Sequence, residues 1–187
     1  FFNHNPHAQF REPYRGILRE GDDLEGIILD EVSKAKTRIW VAVHEIRLPR
    51  FAELLVKKQR EGVDVRVIME NEYSAPFPYR RRNEIDNLPH VQATRLADYF
   101  YYIDKNQNGF LTQDELDQRD VPSIFKKQRL RCIDDSVDGS DGSGLMHHKF
   151  VVVDDKKVFV TSANFTWSDF YGDFLSTATR GNANHLV

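Results

Sequence analysis

The chain has 187 residues, of which 40% are hydrophobic, and a formal net charge of −3. This length suits one well-buried domain and is short for two. It contains no run of about 18 apolar residues, which excludes a membrane-spanning helix. The single Cys132 excludes an intrachain disulfide and leaves the cellular compartment open. The slight excess of acidic residues does not by itself indicate a nucleic-acid binder.

The first part of the chain predicts a helix, a strand, a second helix and a second strand. Apolar residues at helical spacing begin at Leu24, after an acidic run typical of a helix start, and lead to a strand over 38–44. Pro49 can begin the next helix and Gly62 can end it, and a strand over 63–69 follows. Strand, helix and strand with short links predict a right-handed βαβ unit with parallel strands.

Two basic clusters are candidates for contact with phosphate groups, because binding depends on the cations that touch phosphates rather than on total charge. The first cluster is the arginine run 80–82, and the second contains Lys126, Lys127, Arg129 and Arg131. A solvated charged face explains both clusters equally well.

The segment 104–115 resembles an EF-hand calcium loop. It has acids or amides at the first, third and fifth positions, Gly109 at the sixth, an apolar residue at the eighth and Glu115 at the twelfth. The resemblance implies calcium ligands from the side chains of Asp104, Asn106, Asn108 and Glu115, the carbonyl of Phe110, and Thr112 through water. A plain Asn-Gly turn between two helices is the alternative.

The calcium site would fix a small helical insertion over 92–120 and take no part in the chemistry. Only two of its side-chain ligands are charged, and no second EF-hand loop is visible, so we expect weak affinity of the extracellular kind. Such affinity is compatible with a secreted or periplasmic bacterial protein. The stretch 134–144, rich in Asp, Gly and Ser, predicts either a loop at the lip of a site that follows it or a solvent-exposed linker.

The run from His147 to Asp154 is the most informative part of the chain. The β-branched and aromatic stretch 149–153 predicts a buried strand, and residues 158–160 predict the return strand of a hairpin. Because side chains alternate along a strand, His147 and Lys149 should lie on one face. The return strand should bring Ser162 and Asn164 beside them.

These five side chains suit the cleavage of a phosphodiester without a metal. His147 can attack phosphorus, and Lys149 can neutralise the anionic oxygens that repel a nucleophile. Ser162 and Asn164 can donate hydrogen bonds to those oxygens, and we expect Asp154 to hold the imidazole in one tautomer. Each residue alone has an ordinary structural explanation, but the combination favours catalysis.

The spacing His-x-Lys-x4-Asp with a nearby Ser-x-Asn resembles the phospholipase D superfamily and its HKD motif. The resemblance implies an α/β fold with a mixed, mainly parallel sheet and helices on both faces. It assigns the nucleophile to His147, phosphate binding to Lys149, the motif aspartate to Asp154, and the polar pair to Ser162 and Asn164. It extends from about residue 20 to the end, interrupted by the insertion, so we predict one phospholipase D-like domain over 1–187.

Only one such motif occurs in the chain, whereas a two-step displacement needs an acid for the leaving oxygen as well as a nucleophile. Single-motif relatives, such as small bacterial endonucleases, form homodimers with one site across the two-fold axis. We therefore predict a homodimer in which His147 of each subunit enters a shared active site. The chain stops in what resembles the middle of a strand, so we expect either that the natural protein is longer or that a separate piece completes the fold.

Three functions are compatible with these residues. The preferred one is a metal-independent endonuclease that forms a covalent phosphohistidine, because compact single-motif relatives are mostly nucleases and the basic clusters suit a polyanion. The second is a phospholipase D acting on phosphatidyl lipids, which would need an apolar rim around the site. The third is a catalytically silent, calcium-stabilised binding module, which the complete motif disfavours.

Overall fold

The computed structural model describes residues 1–137 and 144–187. Its centre is a five-stranded sheet in the order β5-β4-β3-β6-β7, and a two-stranded hairpin precedes it. The hairpin strands are β1 (Gln9–Arg11) and β2 (Leu18–Glu20). The sheet strands are β3 (Arg38–Val43), β4 (Asp64–Met69), β5 (Cys132–Asp134), β6 (Lys149–Val153) and β7 (Lys157–Val160).

The sheet is mixed. Strands β3, β4 and β5 are parallel, whereas β6 runs antiparallel to β3, and β7 antiparallel to β6. The predicted hairpin is present, with β6 covering the predicted 149–153 and β7 containing 158–160. The expected majority of parallel neighbours is not found, because two of the four neighbouring pairs are parallel and two are antiparallel.

The predicted βαβ unit consists of β3, helix α2 (Pro49–Arg60) and β4. Pro49 is the first residue of α2, where its missing N–H costs no hydrogen bond. Gly62 follows the helix at φ 89°, a conformation that glycine adopts without steric cost. Helix α1 (Leu24–Ser33) begins as predicted, because the Asp23 side chain accepts the N–H of Gly26 and caps it.

Buried residues of α1 and α2 pack on one face of the sheet, and helices on both faces stay a prediction. The inner face contributes Ile39, Val41, Val67 and Val151 to a core that also contains buried residues of α1 and α2. The residues in register with Trp40 and with Ala42 form the other face. Its exposed apolar side chains are Trp40, Ile133, Val158 and Val160.

A helical segment connects β4 to β5 and is longer than the predicted insertion over 92–120. Its helices are α3 (Asn71–Ser74), α4 (Arg82–Asp86), α5 (His90–Ile103), α6 (Gln113–Arg119) and α7 (Val121–Gln128). Helix α5 packs Tyr99, Phe100 and Ile103 into the main core, so this segment is continuous with the rest of the domain.

The remaining helix, α8 (Trp167–Phe170), follows the β6-β7 hairpin.

The loop predicted over 134–144 lies largely outside the described residues. Among the helices described, none combines the length and apolar character needed to cross a bilayer.

Candidate active site

The candidate site lies at the edge of the sheet where β3 and β4 end and β6 begins. Val43, the last residue of β3, is in register with Lys149, the first residue of β6. His147 lies two residues before Lys149, at the same edge. The carboxyl ends of parallel strands are the usual position of functional sites in open α/β sheets.

His147 is solvent-exposed, as a nucleophile must be. Desolvation, the ammonium of Lys149 and the imidazole of His44 lower the pKa of His147, and the carboxylate of Asp169 opposes them. A lowered pKa keeps the imidazole neutral at neutral pH, and only the neutral form has a nitrogen lone pair to attack phosphorus.

Lys149 is 7% exposed, which is unusual for a lysine. Its Nζ donates to the carbonyl of His147 at 3.0 Å, so the ammonium lies close to the candidate nucleophile. Burial lowers the pKa of Lys149, and the Asp169 carboxylate opposes that effect. An ammonium with so few protein partners retains hydrogen-bonding capacity for an anionic ligand.

Asp154 does not orient His147, and this expectation from the sequence is wrong. It follows the last residue of β6, and its N–H donates to the carbonyl of Arg38 at the opposite edge of the sheet. The five residues of β6 span about 17 Å at about 3.3 Å per residue. A carboxylate at that distance from the imidazole cannot hydrogen-bond to it.

The Asp154 carboxylate instead joins the hairpin turn to the start of β3. It accepts the backbone N–H groups of Lys36, Thr37 and Arg38 and the hydroxyl of Thr37, at 2.7–3.1 Å. These hydrogen bonds hold the pKa of Asp154 far below its usual range. The motif aspartate is therefore a structural residue in this chain.

Ser162 and Asn164 follow β7 as predicted, at the edge that carries Lys149. Thr161, just before them, donates its N–H to the carbonyl of Lys149 at 3.0 Å. The Ser162 hydroxyl donates to the Asn184 side chain at 2.8 Å, and Asn164 Oδ1 is buried without a hydrogen-bond partner in the described structure. A buried unpaired amide oxygen is uncommon, and this one is available to a ligand or a water at the site.

Asp169 is the carboxylate that the sequence analysis missed. It is a buried residue of α8, and its Oδ2 accepts the backbone N–H of Asn164 at 3.0 Å. It raises the pKa of both His147 and Lys149, so it is the acidic group that acts electrostatically on the motif. Asp169 follows Asn164 by only five positions, so this local spacing was a signal that the sequence analysis did not use.

His44 is the second residue that was missed. It follows β3 directly, is buried, and lies with its ring centroid 4.9 Å from that of His147. Its ring also contacts Tyr73 of α3 at 4.8 Å. Its place at the carboxyl end of a predicted parallel strand was a usable signal, since functional side chains collect there.

The first basic cluster, the arginine run 80–82, lies beside the loop over 104–115, because Arg80 donates to Gln113 at 2.9 Å and Arg81 lies over the ring of Phe110. Lys127 is paired with Asp117, and Arg131, just before β5, is paired with Asp64 at the edge of the sheet opposite His147. The second cluster is therefore remote from the candidate site. Arg95 of α5 is nearer, because it lies 3.9 Å from the carboxylate of Glu45, the residue after His44.

The loop over 104–115 lies between α5 and α6. Asp104 is buried, and its carboxylate accepts the N–H groups of Asn108 and Gly109 at 3.2 and 2.8 Å. The Glu115 carboxylate accepts the N–H groups of Lys105 and Thr112. The described residues contain no group of three or more His, Cys, Asp or Glu side chains that could hold a metal, so amide and carbonyl oxygens would have to supply the other ligands.

The comparison with protein families matches residues 28–176 to the family described as cardiolipin synthase, PLD-like domain. This range covers well over half of the chain and contains all five predicted site residues. The chain belongs to the PLD-like domain family. Membership confirms the superfamily that the motif predicted.

Solved structures similar to this PLD-like domain include the phospholipase D family member Nuc from Salmonella typhimurium and NucT from Helicobacter pylori. Nuc is 16% identical with a TM-score of 0.46, and the match covers 87% of this chain and 72% of Nuc. NucT is 17% identical with a TM-score of 0.46, and the match covers 87% of this chain and 74% of NucT. The search of curated proteins found no match.

Proposed function

We propose that this PLD-like domain is a metal-independent phosphodiesterase that cleaves nucleic acid through a covalent phosphohistidine on His147. The observation that carries the proposal is the exposed imidazole of His147 beside the buried ammonium of Lys149. The imidazole supplies a neutral nucleophile, and the ammonium supplies the positive charge that a phosphodiester requires before attack.

The reaction has two displacements. In the first, an imidazole nitrogen of His147 bonds to phosphorus, the bond from phosphorus to the leaving oxygen breaks, and an acid protonates that oxygen. In the second, a water loses a proton to the same group, now a base, and its oxygen displaces the imidazole. The products are an alcohol and a phosphate monoester, and neither step needs an oxidant or a metal.

We propose that the acid and base is His147 of a second subunit, in a homodimer with one shared site. The exposure of His147 leaves room for a second imidazole on the far side of the phosphorus. A mixing experiment tests this point. If wild-type protein is refolded with increasing amounts of His147→Ala, activity should fall more steeply than the wild-type fraction, whereas a self-sufficient monomer would lose activity in proportion.

A nucleic acid is favoured over a lipid by the side chains beside the site. Tyr73 lies next to His44, and the side chain of Arg95 is 66% exposed at the same rim. An aromatic ring can stack on a base, and an exposed guanidinium can bind a neighbouring phosphate while it stays paired with Glu45. Phosphatidylcholine carries a single phosphate, so it has no neighbouring phosphate for the Arg95 guanidinium to bind.

The deciding experiment uses plasmid DNA, single-stranded RNA and phosphatidylcholine vesicles, each with and without EDTA. We expect nicking of the plasmid or cleavage of the RNA in EDTA, loss of activity in His147→Ala, and full activity in His148→Ala, the matched neighbouring histidine. A labelled oligonucleotide should stay attached to wild-type protein after acid-free denaturation. Choline release without cleavage would indicate the lipase, and inactivity on all three substrates would indicate the silent binding module.

We also propose that the loop over 104–115 binds one structural Ca²⁺. Support comes from its hydrogen bonds, in which Asp104 accepts two N–H groups of its own loop while Gly109 turns the chain at φ 77°. Asp104, Asn106, Asn108, Glu115, the Phe110 carbonyl and, through water, Thr112 would hold the ion. Calcium would stabilise this loop and leave the chemistry of His147 unaffected.

A further inference from the structure

We infer that His44 is a positioning residue of the phosphodiesterase site, which holds the His147 imidazole in the orientation for attack. The inference rests on the proposed function of that site and adds a residue outside the motif. His44 follows β3 whereas His147 precedes β6, and His44 is 102 positions from Met146 along the chain.

His44 binds the chain on both sides of His147. Its backbone N–H donates to the carbonyl of His148 at 2.9 Å, and its ring Nδ1 donates to the carbonyl of Met146 at 3.1 Å. A carbonyl can only accept, so Nδ1 carries the hydrogen. The residues before and after the nucleophile are thus tied to one buried histidine, although they lie outside strand β6.

The two rings also touch. The planes of His44 and His147 are inclined at 72°, with the centroids 4.9 Å apart. Tyr73 packs on His44 in the same edge-to-face manner, with an interplanar angle of 65°. The His44 ring therefore contacts the rings of both Tyr73 and His147. Its contact with His147 limits the rotation of that exposed imidazole.

The groups that act on the two imidazoles come from three elements, namely Lys149 of β6, Asp169 of α8 and Tyr73 of α3. Glu70, between β4 and α3, donates its N–H to the backbone carbonyl of His44. His44 is one of the groups that lower the pKa of His147. The loss of His44 should therefore move the His147 titration toward higher pH, which a purely structural role would not do.

Three variants separate the contributions of His44. His44→Asn keeps an N–H near the position of Nδ1 and loses the ring, whereas His44→Phe keeps the ring and loses the hydrogen bond to Met146. His44→Ala loses both. We expect kcat to fall roughly tenfold to a hundredfold in His44→Ala, since small misplacements of a reacting group have effects of that size. The other two variants should lie between, and KM for an oligonucleotide should stay unchanged in all three.

The readouts are kcat, KM, the thermal midpoint and the pKa of His147 from NMR. A fall in kcat at constant KM, with a raised His147 pKa and partial recovery in His44→Asn, supports the inference. Wild-type kcat in His44→Ala, or losses that vary only with the thermal midpoint, would overturn it. If His147→Ala itself kept its activity, the proposed function would fail instead, so the two failures are distinguishable.

Discussion

The carboxylate of Asp169 accepts the backbone N–H of Asn164 at 3.0 Å, and it is the acidic group that raises the pKa of both His147 and Lys149. Its other carboxylate oxygen accepts the Asn182 side chain at 2.9 Å, so Asp169 joins the segment after β7 to the end of the chain. Its negative charge acts on the motif, whereas Asp154, 15 positions earlier in the chain, lies at the opposite edge of the sheet.

Replacing Asp169 should change the titration of the nucleophile. Asp169→Asn removes the negative charge that raises the pKa of His147, so this pKa should fall and the acidic limb of the rate profile should move to lower pH. NMR titration of the His147 ring measures the shift directly. Asp173→Asn is the matched control on an exposed loop residue, and equal shifts in both variants would contradict the assigned role.

Lys149 should be essential for turnover but not for folding. Lys149→Met keeps most of the aliphatic stem in the core and removes the ammonium, so kcat should fall by roughly a hundredfold or more, the size of effect seen when a charge-stabilising group is lost. The pKa of His147 should rise, because Lys149 lowers it. Lys156→Met, in the exposed hairpin turn, should retain wild-type kinetics and pKa; a similar loss of kcat there would point to a general effect of charge.

Asp154 should matter for stability rather than for chemistry. Asp154→Ala leaves three backbone N–H groups without their acceptor, and we expect a loss of about 2 kcal/mol in the free energy of unfolding, measured in urea. Asp154→Asn should lose less, because asparagine keeps an acceptor oxygen and tolerates the φ of 54°. If the Asp154→Ala protein were as stable as the wild type but inactive, Asp154 would have a direct role in catalysis, against this prediction.

The same carboxylate predicts an acid limit of stability. Its pKa in the folded protein is far below that of an unfolded aspartate, which is about 3.9. The stabilisation is therefore complete above about pH 4 and is lost progressively as the pH falls toward the folded-state pKa. The unfolding free energy of Asp154→Asn should depend less on pH than that of the wild type below pH 4; parallel curves would exclude Asp154 as the cause.

Calcium should raise the thermal midpoint without raising activity. A ligand that binds only the folded protein adds about 2.7 kcal/mol at a concentration 100 times its Kd. Glu115→Gln weakens the proposed site, so its midpoint should respond less to calcium, whereas Asp114→Asn, one position away and exposed, should respond as the wild type does. Identical midpoints with calcium and with EDTA in the wild-type protein would refute the site.

The sequence by itself determined the local elements and the family. Alternation of β-branched residues predicted β6 and β7, Pro49 and Gly62 marked α2, and the motif spacing identified a PLD-like domain. These features are encoded within a few residues of one another, where side-chain periodicity and turn chemistry act directly. The placement of His147 and Lys149 on one face is also encoded locally, because the two residues are two positions apart along the chain.

Only the tertiary structure decided which distant groups surround the motif. Asp154 is seven residues from His147 but at the other edge of the sheet, because an extended strand carries the chain across it. His44 is more than 100 residues away and in contact with His147, because β3 and β6 are neighbours in the sheet. Sheet pairing and core packing bring such residues together, and no local pattern in the chain records that arrangement.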